Sequence, residues 1–199
     1  MIDTIIFDFG GVLVDWNPRY LYKSYFRDDK KMEQFLNQVC TDEWNTEQDR
    51  GRSLEEGTGL LVKEFPESEK EIRMYYDGWE TMLRDAIWES VEILKELKQR
   101  YKMYGLTNWS AETFPVALKR FDFFQLFDGI LVSGEEKLIK PDPKIYELMM
   151  ERFGLKPENC LFIDDNLKNV EASKKFGIET IHFVNPEELR KELTRMNLF

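Results

Sequence analysis

From residue 87 onward, short apolar runs alternate with amphipathic stretches, and that alternation constrains the fold more than any other feature of the chain. Strand-like runs are expected at 102–106, 129–132, 160–163 and 179–183, and a fifth, Thr4–Phe7, stands alone near the start. Between them Ile87, Val91, Leu94 and Leu97 recur at helical spacing. Asp142-Pro143 supplies an N-cap and a first-turn proline, with Gly154 where a left-handed C-terminal residue belongs. The stretch 167–176 ends the same way at Gly177, and Asn185-Pro186 opens a last helix carrying Leu189, Leu193 and Met196. Strands that take turns with helices imply a parallel sheet covered on both faces. The expectation is a doubly wound α/β domain, a five-stranded Rossmann-like sheet.

Residues 16–84 break the pattern, because no strand period is visible there. Asn17-Pro18 opens one helix, and Met32, Phe35, Leu36 and Val39 mark a second. Ser53-x-x-Glu56 and Ser68-x-x-Glu71 read as capping boxes. The expected organisation is a core built from 1–15 and 85–199 with a small all-helical cap, 16–84, inserted after the first strand. In open α/β sheets ligands bind at the carboxyl ends of the strands, so an insertion leaving from that end is placed to act as a lid.

With 199 residues, the chain is long enough for one core domain with such an insertion. Its 42% hydrophobic content excludes disorder. No apolar run approaches 18 residues, and the first residues lack the basic region of a secretion signal. The net charge of −10 disfavours nucleic acid as a partner. Cys40 and Cys160 lack zinc-site spacing and read as buried thiols of a cytoplasmic protein. A single histidine, His182, at the end of the last strand and away from the other motifs, reads as structural and makes a histidine-based triad or multi-histidine metal site improbable.

Chemistry must then rest on carboxylates, lysine and hydroxyls, and these gather at the strand ends. The first strand delivers Asp8, followed by Gly10 and Gly11; the second delivers Thr107 and Asn108; a loop after the third reaches Lys140; the fourth delivers Asp164 and Asp165, with Asn169 a helical turn on. Packed carboxylates repel, and a divalent cation relieves them. All-oxygen ligands of this kind suit magnesium, which binds through one or two carboxylates together with a substrate phosphate. Each residue also has a plainer reading. Asp8 before Gly-Gly makes a turn residue, Asp164 or Asp165 a helix cap, Thr107 and Asn108 a turn, Lys140 a solvated surface lysine.

The joint occurrence of IIFDFGGVLVD, YGLTNWS, GEEKLIKPDPKIYELMMERFG and CLFIDDNLKNVEASKKFG, in this order at strand ends, resembles the haloacid dehalogenase superfamily over the whole chain. Within it, FDFGGVLVD with FIDDN resembles the branch containing glucose-1-phosphate phosphatases. The resemblance implies that Asp8 is the nucleophile of an aspartyl-phosphate mechanism. It implies that Asp8, Asp165 and the Gly10 carbonyl hold magnesium, with Asp164 in or beside that shell. It also implies that Thr107, Asn108 and Lys140 contact the phosphate of a small phosphorylated metabolite, a sugar phosphate being the first expectation, and that Lys140 restrains the nucleophile.

Gly10 departs from the family pattern, in which most phosphatases carry a second aspartate that protonates the leaving group. Three readings follow: a phosphatase whose leaving group needs little help, a metal-independent haloacid dehalogenase, whose halide needs no proton, or a weakly active binding or regulatory protein. The Asp164-Asp165 pair favours the phosphatase over the dehalogenase. Asp15 is the nearest other carboxylate in sequence. Trp16 and Trp109 are placed to wall a pocket, and Trp44 and Arg50 either read a substrate or serve packing and a surface ion pair.

Overall fold

The computed structural model describes all residues 1–199. The chain runs β1 (Thr4–Phe7), β2 (Val14–Trp16), then α1 (Arg19–Phe26), α2 (Asp29–Gln38), α3 (Asp42–Asp49), α4 (Leu54–Glu64), α5 (Glu69–Asp77) and α6 (Trp79–Met82). It returns through β3 (Leu83–Ala86) to α7 (Trp88–Lys98), β4 (Lys102–Thr107), α8 (Phe114–Arg120), β5 (Gly129–Val132) and α9 (Ser133–Glu136). It closes with α10 (Pro143–Phe153), β6 (Cys160–Asp164), α11 (Leu167–Phe176), β7 (Glu179–His182) and α12 (Pro186–Arg195).

The five strands expected from the sequence form one parallel sheet in the order β5-β4-β1-β6-β7. Alternate side chains enter opposite cores. Ile5, Phe7, Leu161 and Ile163 join the larger cluster with α7 and α12, whereas Ile6, Cys160 and Phe162 join the smaller one with α10. Period-two alternation between two buried faces is the signature of a sheet covered on both sides. From β1 the chain winds outward through β4 and β5, then crosses back to β6 and β7 on the other flank. The winding direction therefore reverses between β1 and β6, and their carboxyl ends form the crevice in which such sheets bind ligands.

The punctuation behaves mostly as expected. Asp142 and Asn185 cap α10 and α12 with their side chains, and Gly154 and Gly177 end α10 and α11 in the left-handed conformation. Ser53 caps α4 by accepting the Glu56 N–H. Ser68 does not cap α5: it ends a 3-10 turn, Pro66–Ser68, and makes no capping hydrogen bond.

Two unexpected strands straddle the ends of the 16–84 stretch. β2 and β3 pair antiparallel, Val14 opposite Ala86, with a register shift between Asp15 and Trp16. This ribbon carries the chain out to α1–α6 and back. It escapes notice in the sequence because strands of three and four residues bearing Asp15, Arg84 and Asp85 show no apolar period. The larger hydrophobic cluster is continuous across the ribbon, joining Tyr22, Ile72, Tyr75 and Trp79 of the helical segment to Val91, Leu94, Phe114 and Trp109.

Candidate active site

β1 ends by aiming Asp8 into the crevice. The Asp8 N–H donates to the Ile163 carbonyl at 2.9 Å, and the next residue, Phe9, donates its N–H to Asp8 Oδ1 at 2.7 Å. A tight turn follows, in which the N–H groups of Val12, Leu13 and Val14 all donate to the Phe9 carbonyl. Gly11 occupies a left-handed φ of +72°, and a Cβ there would stand 2.3 Å from Asp165 Oδ2. Glycine is thus what lets the Asp165 carboxylate close on the turn. The Gly10 carbonyl accepts no backbone hydrogen bond.

Lys140 is buried, and its ammonium has three oxygen partners. It donates to the Leu106 carbonyl (2.8 Å) and Asp164 Oδ2 (2.7 Å), and pairs with Asp8 Oδ1 at 3.0 Å. It is not a surface lysine. Asn108 fixes the Lys140 backbone from both sides, its Nδ2 donating to the Lys140 carbonyl at 3.0 Å and its Oδ1 accepting the Lys140 N–H at 2.9 Å. The Asn108 side chain is therefore a clamp as well as a wall of the crevice.

Asp164, fully buried, is saturated. Its Oδ1 accepts from the Asn166 N–H and Asn169 Nδ2, and its Oδ2 from Lys140 and Asn169 Nδ2. Asn166 caps α11, so neither aspartate does. Asp165 is the exposed member of the pair and lines the crevice. His182, at the end of β7, hydrogen-bonds through Nε2 to the Asp165 carbonyl at 2.9 Å, closer to the cluster than its place in the sequence suggests. Thr107 Oγ1, at the end of β4, is buried without a hydrogen-bond partner.

Carboxylate oxygens of Asp8, Asp164 and Asp165 all lie within 4.8 Å of one another. Three carboxylates against one ammonium leave two negative charges in a confined space. Burial pushes Asp8 up to about 7, against the pull of Lys140 and reinforced by Asp164 and Asp165. Burial and then the Asp164 charge raise Asp165. Burial opposes the charge on Lys140, but Asp164 and Asp8 together hold its pKa above the ordinary lysine value. The donor set fits a divalent cation: all oxygen, with Asp165 unsaturated, the Gly10 carbonyl unengaged and an excess of two negative charges.

The crevice, about 400 Å³, is lined by Asp8, Lys140 and Asp165 on one side and by Asp42, Asn45 and Thr46 of α3 on the other. It shares Gly10, Trp16, Asn45 and Asn108 with an adjoining chamber of about 100 Å³. Trp16, Tyr76, Trp79 and Trp109 wall that chamber, with Asp49, Ser110 and Thr113 as its polar lining. Trp16 and Trp109 therefore do wall a pocket. Trp44 and Arg50 line neither space: Trp44 packs against Tyr75 and Tyr76 and donates to the Gly57 carbonyl, and Arg50 pairs with Glu47 at the surface. Asp15 accepts both contacts of the Tyr20 hydroxyl and lines neither space. Asp42, Asn45, Thr46 and Asp49 are what sequence reasoning passed over.

Among known proteins, the family profile described as haloacid dehalogenase-like hydrolase matches residues 2–177. The chain is 28% identical to drimenol cyclase drtB of Aspergillus calidoustus over 98% of its own length, spanning 37% of that protein. It is 28% identical to a phosphorylated carbohydrates phosphatase of Thermotoga maritima, covering 92% of this chain and 85% of that one. With (S)-2-haloacid dehalogenase 4A of Burkholderia cepacia it shares 30% identity over 83% of this chain and 66% of the other. Its fold matches a family enzyme from Bacteroides thetaiotaomicron solved with magnesium and inorganic phosphate, at TM-score 0.71 and 23% identity, covering 93% of this chain and 96% of that one.

Proposed function

The chain belongs to the haloacid dehalogenase-like hydrolases, and from that premise we propose that it is a magnesium-dependent phosphatase of a small phosphorylated metabolite, a sugar phosphate first among them. The observation that carries this reading is the cluster of Asp8, Asp164 and Asp165 around Lys140, with its excess of negative charge and all-oxygen donors.

In this reading Asp8 attacks phosphorus and the phosphoryl group passes to its carboxylate, a covalent route that splits one displacement into two. Lys140 holds Asp8 in position and offsets charge on the transferring group. The unpartnered Thr107 hydroxyl donates to a phosphoryl oxygen. Asp8, Asp165 and the Gly10 carbonyl would hold magnesium, while Asp164, saturated by Lys140, Asn166 and Asn169, orients the lysine. Bound magnesium would supply charge neutralisation at phosphate oxygens. Water then cleaves the aspartyl-phosphate and frees inorganic phosphate. The chamber walled by Trp16, Tyr76, Trp79 and Trp109 opens into the crevice through Gly10, Asn45 and Asn108, and together the two spaces would take the organic part.

The test is a screen of sugar and small-alcohol phosphates with magnesium and with excess chelator. Phosphate release that depends on magnesium and vanishes in Asp8→Asn is expected. Gly10 and the likeness to a haloacid dehalogenase favour a second reading: chloride release from a 2-halo acid that persists in chelator would establish it and overturn the first.

A further inference from the structure

Asp49 is an expensive residue to keep where it is. It ends α3, where the helix dipole disfavours a negative charge. It is half-buried, it forms no ion pair, and no basic side chain lines the chamber it faces. Asn45 Nδ2 donates to Asp49 Oδ2 at 3.3 Å. That amide is itself oriented: Asn45 Oδ1 accepts the Tyr76 hydroxyl at 3.0 Å, and the Tyr76 oxygen in turn accepts Gln48 Nε2 at 2.9 Å. The chain from Gln48 through Tyr76 and Asn45 turns the amide so that its N–H points at Asp49. Two further contacts hold the backbone. Ser133 Oγ donates to the Asp49 carbonyl at 2.5 Å, and Gly51, at a left-handed φ of +102°, packs against the Gly134 carbonyl. A carboxyl with no charge partner, held this carefully on the wall of the chamber that Gly10 also lines, is a candidate for proton chemistry.

We propose that Asp49 protonates the leaving oxygen, the task for which Gly10 has no side chain. The assignment rests on the phosphatase reading. When the phosphorus–oxygen ester bond breaks, its electron pair stays on the leaving oxygen and the Asp49 carboxyl proton passes to that oxygen, releasing a neutral alcohol while the phosphoryl group is carried on Asp8. In the second half-reaction the Asp49 carboxylate takes the proton of the attacking water, and the products are inorganic phosphate and the starting enzyme. Burial pushes Asp49 up to about 7, with the Ser110 backbone N–H drawing it down, so the proton is available near neutral pH, as a general acid requires. Asn45 is a positioning residue.

The experiment compares ethyl phosphate, whose alkoxide needs a proton, with acetyl phosphate, whose acetate leaves without one; both are small, and both are assayed on the magnesium-loaded enzyme. Asp49→Asn keeps the shape and is expected to lower kcat/KM for ethyl phosphate by about 10²–10⁴-fold, leaving acetyl phosphate within a few-fold of wild type. Asn45→Ala should shift the same ratio in the same direction by less, and it serves if Asp49→Asn does not fold. A Cβ at Gly10 meets nothing within 4 Å, so adding Gly10→Asp to Asp49→Asn should restore part of the ethyl phosphate rate. Equal losses on both substrates, or none on either, would overturn the assignment. If wild type hydrolyses neither compound nor any phosphate in the screen, the phosphatase reading itself falls, and this assignment with it.

Discussion

Asp8 stands 3.0 Å from the Lys140 ammonium, yet burial and two neighbouring carboxylates push it up to about 7 from an ordinary 3.8. The sign of its contribution to stability follows from that direction. A folded-state value above the unfolded one means that ionising Asp8 costs folding free energy, increasingly as pH rises between the two values and fully above the higher one. At pH 8 without metal, Asp8→Asn should therefore melt a few degrees above wild type while losing all turnover, because an amide does not attack phosphorus. Magnesium should raise the wild-type melting temperature and close the gap, since a ligand that binds only the folded state stabilises it by mass action. A mutant that melts lower than wild type would show that the pairing with Lys140 outweighs the crowding of carboxylates.

α3 presents Asp42, Asn45, Thr46 and Asp49 at positions i, i+3, i+4 and i+7, one stripe along a helix. That stripe lines the crevice and the chamber. Beyond its end, the Leu54 N–H donates to Glu112 Oε1 at 2.8 Å and Gly51 closes on Gly134 of α9, so the segment is latched to the connections that follow β4 and β5. A Cβ at Gly51 would lie 2.9 Å from the Gly134 carbonyl oxygen in a backbone conformation that side chains rarely adopt. Gly51→Ala is expected to cost about 1–3 kcal/mol, read as a lower urea midpoint. Because the latch sets where Asp49 points, ethyl phosphate hydrolysis should fall further than acetyl phosphate hydrolysis. Unchanged stability would mean that the loop relaxes freely and holds nothing in place.

At the scale of the molecule, the helical segment and the sheet share one hydrophobic cluster, with Trp79 of α6 and Trp109 after β4 at 5.8 Å between ring centroids. A continuous core makes partial unfolding expensive, since separating the halves exposes both sides of the contact. Unfolding in urea is expected to be a single transition, with tryptophan fluorescence and far-ultraviolet circular dichroism coinciding. Two separated midpoints would show that the helical segment melts independently of the sheet. No helix is long and apolar enough to cross a membrane.

What the sequence determined by itself is what depends on local chemistry. Strands buried on both faces must be short and apolar throughout, so all five sheet strands were legible, as were the Asn-Pro, Asp-Pro and glycine boundaries of the helices packed on them. Asp8 and Asp164-Asp165 were legible as neighbours because they stand at strand ends, which converge in a parallel sheet, and Lys140 because it lies on the connection that leaves β5. Tertiary structure decided the rest. The ribbon of β2 and β3 is held by pairing between residues some 70 positions apart, with too few apolar residues to announce itself. Asn108 clamps Lys140 across 32 residues, a role that no local pattern encodes. The polar stripe of α3 has no apolar period by which the sequence would announce a helix there. It borders the crevice and the chamber only through long-range packing, which is what places Asp49 and Gly10 on the walls of one space.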